Sequence, residues 1–213
     1  MSTMARKSAA ELLGVIETPR NARDRLVNTA IDLFYRQGFN AVGLDQIITE
    51  AGVTKTTFYK HFASKDDLMV AAVEKRDAWE EQAWRRALAE VAGDDPRAQL
   101  LGMFDVLDVW FNDPDFGGCM FLNAAAEFPN PYDPVHQAAA KHKKAVRDEM
   151  RDLAVQANAR EPEVFADEYI MLLEGTLVMR QVHDRNDAAH LARRMVERLI
   201  DEHIPKPRRR RSR

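Results

Sequence analysis

Hydrophobic residues recur at three- and four-residue intervals along most of the chain, the spacing of one face of an α-helix. In the first long segment, Leu26, Ala30 and Leu33 form such a row. No alternating pattern typical of a β-strand continues beyond a few residues, and no internal repeat is found. The pattern predicts about nine helices and therefore an all-α fold.

Capping residues and turns mark the ends of the predicted helices. Thr18 followed by Pro19 predicts the start of the first helix, and Gly38 predicts its end in a left-handed cap. Ser64 and Asp67 have the spacing of a capping box, which opens a long helix. After the first helix, the predicted helices lie at about 44–51, 54–61, 64–91, 96–112, 117–128, 134–159, 162–183 and 187–203.

Charge is distributed unevenly along the 213 residues, whose net charge is −3. Residues 1–65 carry nine Lys and Arg against six Asp and Glu, whereas residues 66–205 carry 16 against 28. This asymmetry is expected if only the first segment meets phosphates. The predicted organisation is a flexible arm at 1–18, a DNA-binding domain at 19–65, a ligand-binding and dimerisation domain at 66–205, and a basic tail at 206–213. The tail either adds nonspecific attraction to phosphates or stays in solvent.

The composition narrows the class of protein further. A single cysteine, Cys119, excludes a disulfide within the chain and a cysteine-based zinc cluster. No apolar run approaches the roughly 20 residues of a membrane helix, and the first residues lack the core of a signal peptide. We therefore expect a soluble, cytoplasmic protein.

The stretch AGVTKTTFYKHFASKDDL, residues 51–68, predicts a helix-turn-helix. In this unit two short helices are joined by a turn, here at Gly52, and the second helix enters the DNA major groove. Phe58 and Phe62 are four residues apart and are expected to face the core. The outer positions carry hydroxyl, amine and imidazole groups without any acid, and such groups suit phosphate and base acceptors. The alternative is an ordinary charged, solvated helix surface.

The segment from about Arg23 to Leu68 resembles the DNA-binding domain of the TetR family of one-component transcriptional regulators. The similarity lies in AIDLFYRQGF and ITEAGVTKTTFYKHFASKDDL, and it covers about the first third of the chain. The T-x-Y-x-x-F core of the family falls on Thr57, Tyr59 and Phe62. The resemblance implies a homodimer that binds a near-palindromic operator, usually as a repressor. A small molecule bound in the C-terminal domain would release it.

The resemblance also assigns DNA contacts to individual residues. The positions that match phosphate contacts are Thr54, Tyr59 and Lys65. The positions that match contacts to bases or to nearby phosphates are Lys55, Thr56, Thr57 and Lys60, with His61 beside them. Val42-Gly43 stands where many members carry a threonine or serine that caps the second helix, so that contact is not carried over.

The predicted helix 117–128 combines polar and apolar groups in a way that suits a ligand site. Its positions 119, 123 and 127 share one face and carry a thiol, an amide and a carboxylate. The candidate effector-binding residues here and just before it are Trp110, Phe111, Cys119, Met120, Phe121, Asn123 and Glu127. The alternative is that the aromatic residues are core and that Glu127 is solvated or paired with a protein group.

The last two predicted helices carry apolar rows that suit a dimer interface built as a four-helix bundle. The rows are Ile170, Leu173 and Leu177 on the first helix, and Leu191, Met195 and Leu199 on the second. The alternative is that these rows close only the core of their own subunit.

Other classes of function find less support in the sequence. Cys119 with His136 or His142 would be the residues of an enzyme, and Glu127 with the same two histidines would be those of a metal site. No glycine-rich phosphate loop and no H-E-x-x-H motif occurs. We predict no catalytic residue, no cofactor and no metal. A DNA-binding protein without an effector is the remaining alternative.

Overall fold

The computed structural model describes residues 7–205, and this part of the chain forms ten α-helices and no strand, which confirms the all-α prediction. The predicted basic tail at 206–213 lies outside the described residues. No helix within residues 7–205 has the length and apolar character needed to cross a bilayer. The helices are α1 Ala9–Leu13, α2 Ala22–Gln37, α3 Leu44–Glu50, α4 Lys55–His61, α5 Lys65–Ala92, α6 Pro96–Phe111, α7 Met120–Glu127, α8 Pro134–Gln156, α9 Pro162–His183 and α10 Ala188–His203.

The additional helix, α1, lies within the predicted flexible arm. Ser8 and Glu11 form a capping box at its start: the Ser8 N–H donates to the Glu11 carboxylate at 2.7 Å, and the Glu11 N–H donates to the Ser8 hydroxyl at 3.2 Å. The hydrogen bonds from Ser8 lower the pKa of Glu11. Leu12 and Leu13 are buried, so this part of the arm is packed.

The start predicted for the first long helix is wrong by three residues. The cap of α2 is Asn21, whose side chain accepts the Asp24 N–H at 2.9 Å, rather than Thr18. The predicted end is confirmed, because Gly38 has φ 87° and its N–H donates to the Phe34 carbonyl at 2.9 Å. Its ψ of 160° is extended, so the residue does not adopt the left-handed helical conformation.

The described residues divide into two compact units, and the divisions along the chain fall within α1, α5 and α8 and between α6 and α7. The body unit contains the residues up to Leu12, Arg85–Phe116 and the residues from Ala145. The head unit contains Leu13–Trp84 and Gly117–Lys144. The head unit thus combines the predicted DNA-binding segment with part of α5, with α7 and with the start of α8. The domain boundary expected between residues 65 and 66 stays a prediction.

In the body unit, α10 packs against α6 and α9. Tyr169 of α9 is fully buried, and its ring makes an edge contact with Phe104 of α6 at 5.6 Å between centroids. Its hydroxyl donates to the carbonyl of Leu100 at 2.7 Å. Burial raises the pKa of Tyr169 well above its ordinary value, which favours the protonated phenol that donates this bond.

The Tyr169 hydrogen bond leads to a prediction about stability. Tyr169→Phe keeps the ring but leaves the buried Leu100 carbonyl without this donor, so the free energy of unfolding is expected to fall by about 1 kcal/mol. Urea denaturation followed by circular dichroism measures the change. Tyr132→Phe is the matched control, because Tyr132 is 82% exposed and should have no effect. Equal stability of the two variants would contradict the prediction.

In the head unit, α2, α3 and α4 pack on one another around buried apolar side chains. Leu26 and Phe34 of α2, Ile47 of α3 and Phe58 of α4 are fully buried. The Arg25 side chain donates to the carbonyl of Ala51 at 3.2 Å, which ties α2 to the end of α3. These contacts fix the position of α4, the predicted recognition helix.

Candidate nucleic-acid interface

The helix-turn-helix expected at residues 44–61 is present as α3, a turn and α4. Gly52 has φ 62° in the turn and donates its N–H to the Thr49 carbonyl. Thr54 caps α4, as predicted, and its hydroxyl accepts the Thr57 N–H at 3.1 Å. Phe58 and Phe62 are 0% and 6% exposed, which confirms that they face the core. The α3–turn–α4 geometry therefore leaves one face of α4 outward.

Six of the eight predicted DNA-contacting residues are exposed on α4 and its cap: Thr54, Lys55, Thr56, Tyr59, Lys60 and His61. α4 itself contains no acidic residue. The ring of Tyr59 is 55% exposed and contacts the buried ring of Phe58 edge-on at 5.1 Å. The buried neighbour restricts the orientation of Tyr59 while its surface remains available to a partner. Thr57 is half-buried, and its hydroxyl lies 2.9 Å from that of Thr54.

An acidic residue does approach this face from the neighbouring helix. The Lys55 amine lies 3.4 Å from the carboxylate of Asp45 on α3, and both side chains are exposed. Such a surface pair contributes little to stability, so the Lys55 amine can exchange Asp45 for another partner at small cost. The residue that caps α3, Gly43, has no side chain to make a capping hydrogen bond, as the sequence implied.

Lys65, the remaining predicted phosphate contact, has a bond within the head unit. Its amine donates to the carbonyl of Phe39 at 2.7 Å. Burial lowers the pKa of Lys65, and the carboxylates of Asp66 and Glu127 oppose that shift. The DNA contact of Lys65 stays a prediction, whereas its contact with the residues that follow α2 is a feature of the structure.

The predicted effector residues fall into two groups. In the body unit, Trp110 and Phe111 pack with Phe116 at centroid distances of 5.0 and 5.4 Å from it. Arg180 covers this cluster, with its guanidinium 4.5 Å from the Phe116 ring and its Nε donating to the Phe111 carbonyl at 2.8 Å. The head unit contains the others, of which Asn123 and Glu127 are half-buried and Cys119, Met120 and Phe121 are buried.

A polar cluster that the sequence analysis did not identify lies beside Phe121 in the head unit. The Phe121 ring stacks on His142 of α8 at 3.4 Å between centroids. His142 Nδ1 lies 2.7 Å from a carboxylate oxygen of Asp77, and its Nε2 lies 3.9 Å from Glu80. Asp77 and Glu80 are on α5, about 60 residues away in sequence, and no local pattern links them to α8.

The same stretch of α5 contains a buried donor without an acceptor. Arg76 Nε donates to Glu80 at 2.6 Å, and the guanidinium lies 4.4 Å from the centroid of the Trp79 ring. The indole Nε1 of Trp79 is buried and has no hydrogen-bond partner. Such groups are rare in folded proteins, because an unpaired buried donor is costly.

Glu127 is paired with protein groups, which is the alternative that the sequence analysis gave for it. Its two carboxylate oxygens accept the backbone N–H groups of Phe39 at 2.8 Å and Asn40 at 2.7 Å. These bonds engage both oxygens of the Glu127 carboxylate, whereas the expectation that Asn123 and Glu127 face an effector cavity stays a prediction. His136 Nδ1 is bonded to the Phe128 carbonyl, and among the described residues no group of three His, Cys, Asp or Glu side chains is arranged to hold a metal ion.

Comparisons with known proteins agree with this geometry. The family profile described as "Bacterial regulatory proteins, tetR family" matches residues 26–72, and "Tetracyclin repressor-like, C-terminal domain" matches residues 96–196. The crystal structure of a TetR-family transcriptional regulator from Streptomyces coelicolor is 30% identical, with a TM-score of 0.76 over 85% of this chain and 95% of that one. The reduced form of Escherichia coli NemR shares the fold at 22% identity, with a TM-score of 0.74 over 88% of this chain and 98% of that one.

Sequence relatives lead to the same assignment. The transcriptional regulator YjdC of Escherichia coli is 22% identical over 84% of this chain and 93% of its own length. The chain belongs to the TetR family of DNA-binding transcriptional regulators. The resemblance seen in the first third of the sequence is thereby confirmed, and it extends to the C-terminal part.

Proposed function

We propose that the protein is a cytoplasmic homodimeric repressor that binds a near-palindromic operator and is released by a small-molecule effector. The observation that carries the proposal is the outer face of α4, where Lys55, Tyr59 and Lys60 are exposed on a helix that contains no acid. The family consists of transcriptional regulators, and NemR, one of the relatives, is a repressor.

Two copies of α4 would read the two halves of the operator. In helix-turn-helix dimers the recognition helices enter successive major grooves about 34–36 Å apart on one side of the DNA. The amines of Lys55 and Lys60 and the hydroxyls of Thr56 and Tyr59 supply donors for phosphate oxygens and base acceptors. Because Tyr59 rests on Phe58, little side-chain freedom is lost when it meets DNA.

The DNA proposal predicts the effect of changing Lys60. If the Lys60 amine contacts a phosphate, Lys60→Ala should weaken binding to DNA of every sequence. The slope of log K against log salt concentration should become smaller in magnitude by about one for each protomer. Fluorescence anisotropy at several salt concentrations measures this on an operator selected from genomic fragments. Lys141→Ala is the matched control, because Lys141 is exposed on α8 outside the helix-turn-helix. Wild-type affinity in the Tyr59→Ala and Lys60→Ala double variant would refute the proposal.

The dimer proposal rests on apolar side chains that α9 leaves in solvent. Met171, Val178 and Val182 are 71%, 44% and 68% exposed, and their spacing of seven and four places them on one face. Met195 of α10 is 51% exposed. In contrast, Leu173 and Leu177 are buried within the body unit, so those two predicted interface residues contribute to its own core. An apolar face on an amphipathic helix suits a second copy of the same surface.

A charge on this face should dissociate the dimer without unfolding the subunit. Val178→Glu is expected to sediment as a monomer at micromolar concentration with wild-type helix content, because a carboxylate would have to be buried at the interface. Val155→Glu is the control, since Val155 is also exposed (54%) but lies at the end of α8. A wild-type protein that sediments as a monomer would rule out the dimer.

The effector proposal rests on the Trp79 indole. We infer that an effector in the head unit offers an acceptor oxygen or nitrogen to Trp79 Nε1, since no protein group satisfies this buried donor. Phe121, His142 and the Arg76–Glu80 pair are the neighbouring groups on α5, α7 and α8 that such a ligand would displace or contact. A ligand bound there would favour a conformation whose recognition helices no longer match the groove spacing.

The test of this proposal is a search for compounds that release the protein from its operator. A compound library is screened for dissociation of the operator complex, and active compounds are then titrated against wild type and Trp79→Phe. The variant keeps a ring but has no N–H, so about tenfold more compound should be needed for release, as for the loss of one good hydrogen bond. Equal response in both proteins would place the effector elsewhere. A library without any active compound would favour a ligand-independent DNA-binding protein.

A further inference from the structure

The chain after α2 is held by a carboxylate from a helix that is distant in sequence. Glu127, the last residue of α7, accepts hydrogen bonds from the consecutive N–H groups of Phe39 and Asn40 at 2.8 and 2.7 Å, one on each oxygen. Hydrogen bonds to an ionised carboxylate are shorter and stronger than those to a neutral acceptor, and a bidentate pair also fixes orientation. This contact therefore restrains the backbone that leads from α2 into α3.

The preceding glycine makes this approach possible. Gly38 has φ 87°, a conformation that turns the chain out of α2 and that other residues rarely adopt. A Cβ atom on Gly38 would lie 3.0 Å from Glu127 Oε1, so the carboxylate occupies the space that a side chain would need. The Lys65 amine binds the carbonyl of Phe39 from α5, so both the donor and the acceptor of this one residue are used by charged groups.

A second contact joins α2 to the residue Gly117, at the start of the segment that contains α7 and ends at Glu127. The N–H of Gly117, which precedes α7, donates to the Tyr35 hydroxyl at 2.8 Å. A Cβ atom at Gly117 would lie 2.9 Å from the Tyr35 ring and 3.1 Å from the Tyr35 carbonyl oxygen, so only glycine fits without movement. Phe128, next to Glu127, adds an edge contact with the ring of Phe39 at 5.9 Å. We call the contacts made by Gly117 and Glu127 the α2 clamp.

We propose that Glu127, through the α2 clamp, is a positioning residue for operator binding: it sets the orientation of the helix-turn-helix relative to α7. This inference rests on the DNA-binding function proposed above and assigns Glu127 to the transmission of a signal rather than to effector binding. α2 supports both α3 and α4, so a shift at its end displaces the recognition helix. Phe121, which stacks on His142, lies on the same eight-residue helix, so a displacement of α7 by an effector would reach Glu127 directly.

The test compares Glu127→Gln with Glu74→Gln. Both changes remove one negative charge from the head unit, but Glu74 is exposed on α5. In Glu127→Gln the side-chain amide keeps one acceptor and turns a donor toward the other N–H group. Operator binding, measured in the absence of any effector, is expected to weaken about tenfold, the effect of losing one charge-assisted hydrogen bond. Amide hydrogen exchange, followed by NMR, is expected to become faster at Phe39 and Asn40, while Glu74→Gln matches wild type in both measurements.

A second variant keeps the carboxylate and changes the other half of the clamp. Gly117→Ala brings a Cβ atom against Tyr35 and should also weaken operator binding while helix content is retained. Faster exchange at residues 39 and 40 with unchanged operator affinity would show that the contact has no positioning role and would overturn the inference. Unchanged exchange and unchanged affinity in Glu127→Gln would overturn it as well. Failure of the wild-type protein to bind any operator would instead refute the proposed function.

Discussion

The arrangement of the head unit depends on the hydrogen bonds made by the backbone N–H groups that directly follow α2. A helix end has main-chain groups that the helix itself cannot satisfy, and leaving them buried without partners is costly. Here Gly38 returns its N–H to Phe34, and the next two N–H groups meet one carboxylate. The fully buried ring of Phe39 then packs against Phe34, 4.8 Å between centroids. These contacts set the direction of the chain after α2, and they therefore determine the position of α3 and of α4, which follows it.

Local chemistry was sufficient to predict the interface helix. The inward pair Phe58 and Phe62 follows from their spacing of four, and the cap at Thr54 follows from the preference of threonine for that position. Both features depend only on residues that are close in sequence, so they can be predicted without knowledge of the tertiary structure. The start of α2 was predicted wrongly at Thr18-Pro19, because a threonine before a proline suits a helix start, whereas in the folded chain the side chain of Asn21 makes the capping bond. The capping box of α1, Ser8 and Glu11, is also a local signal, but it lies in a polar segment without a long apolar row.

The role of Glu127 could not be read from the sequence for a different reason. Its partners are backbone N–H groups, which every residue except proline carries, and they lie 88 and 87 residues away. No pattern of side chains therefore marks the pairing. The buried Trp79 indole and the carboxylates around His142 are similar cases, since α5 and α8 meet only in the folded chain. Thus the inward pair and the cap of α4 could be predicted from neighbouring residues, whereas the polar contacts between distant segments could not.

The exposed apolar face of α9 has a consequence for how the amount of this protein controls its target. If Met171, Val178 and Val182 close the dimer, every protomer added at low abundance must first find a second one before it can hold both halves of an operator. Mass action then makes operator occupancy rise with roughly the square of the protomer concentration in that range. Small changes in synthesis or degradation would be amplified at the promoter. A weak dimer thereby gives a sharper threshold than a tight one, without any additional component.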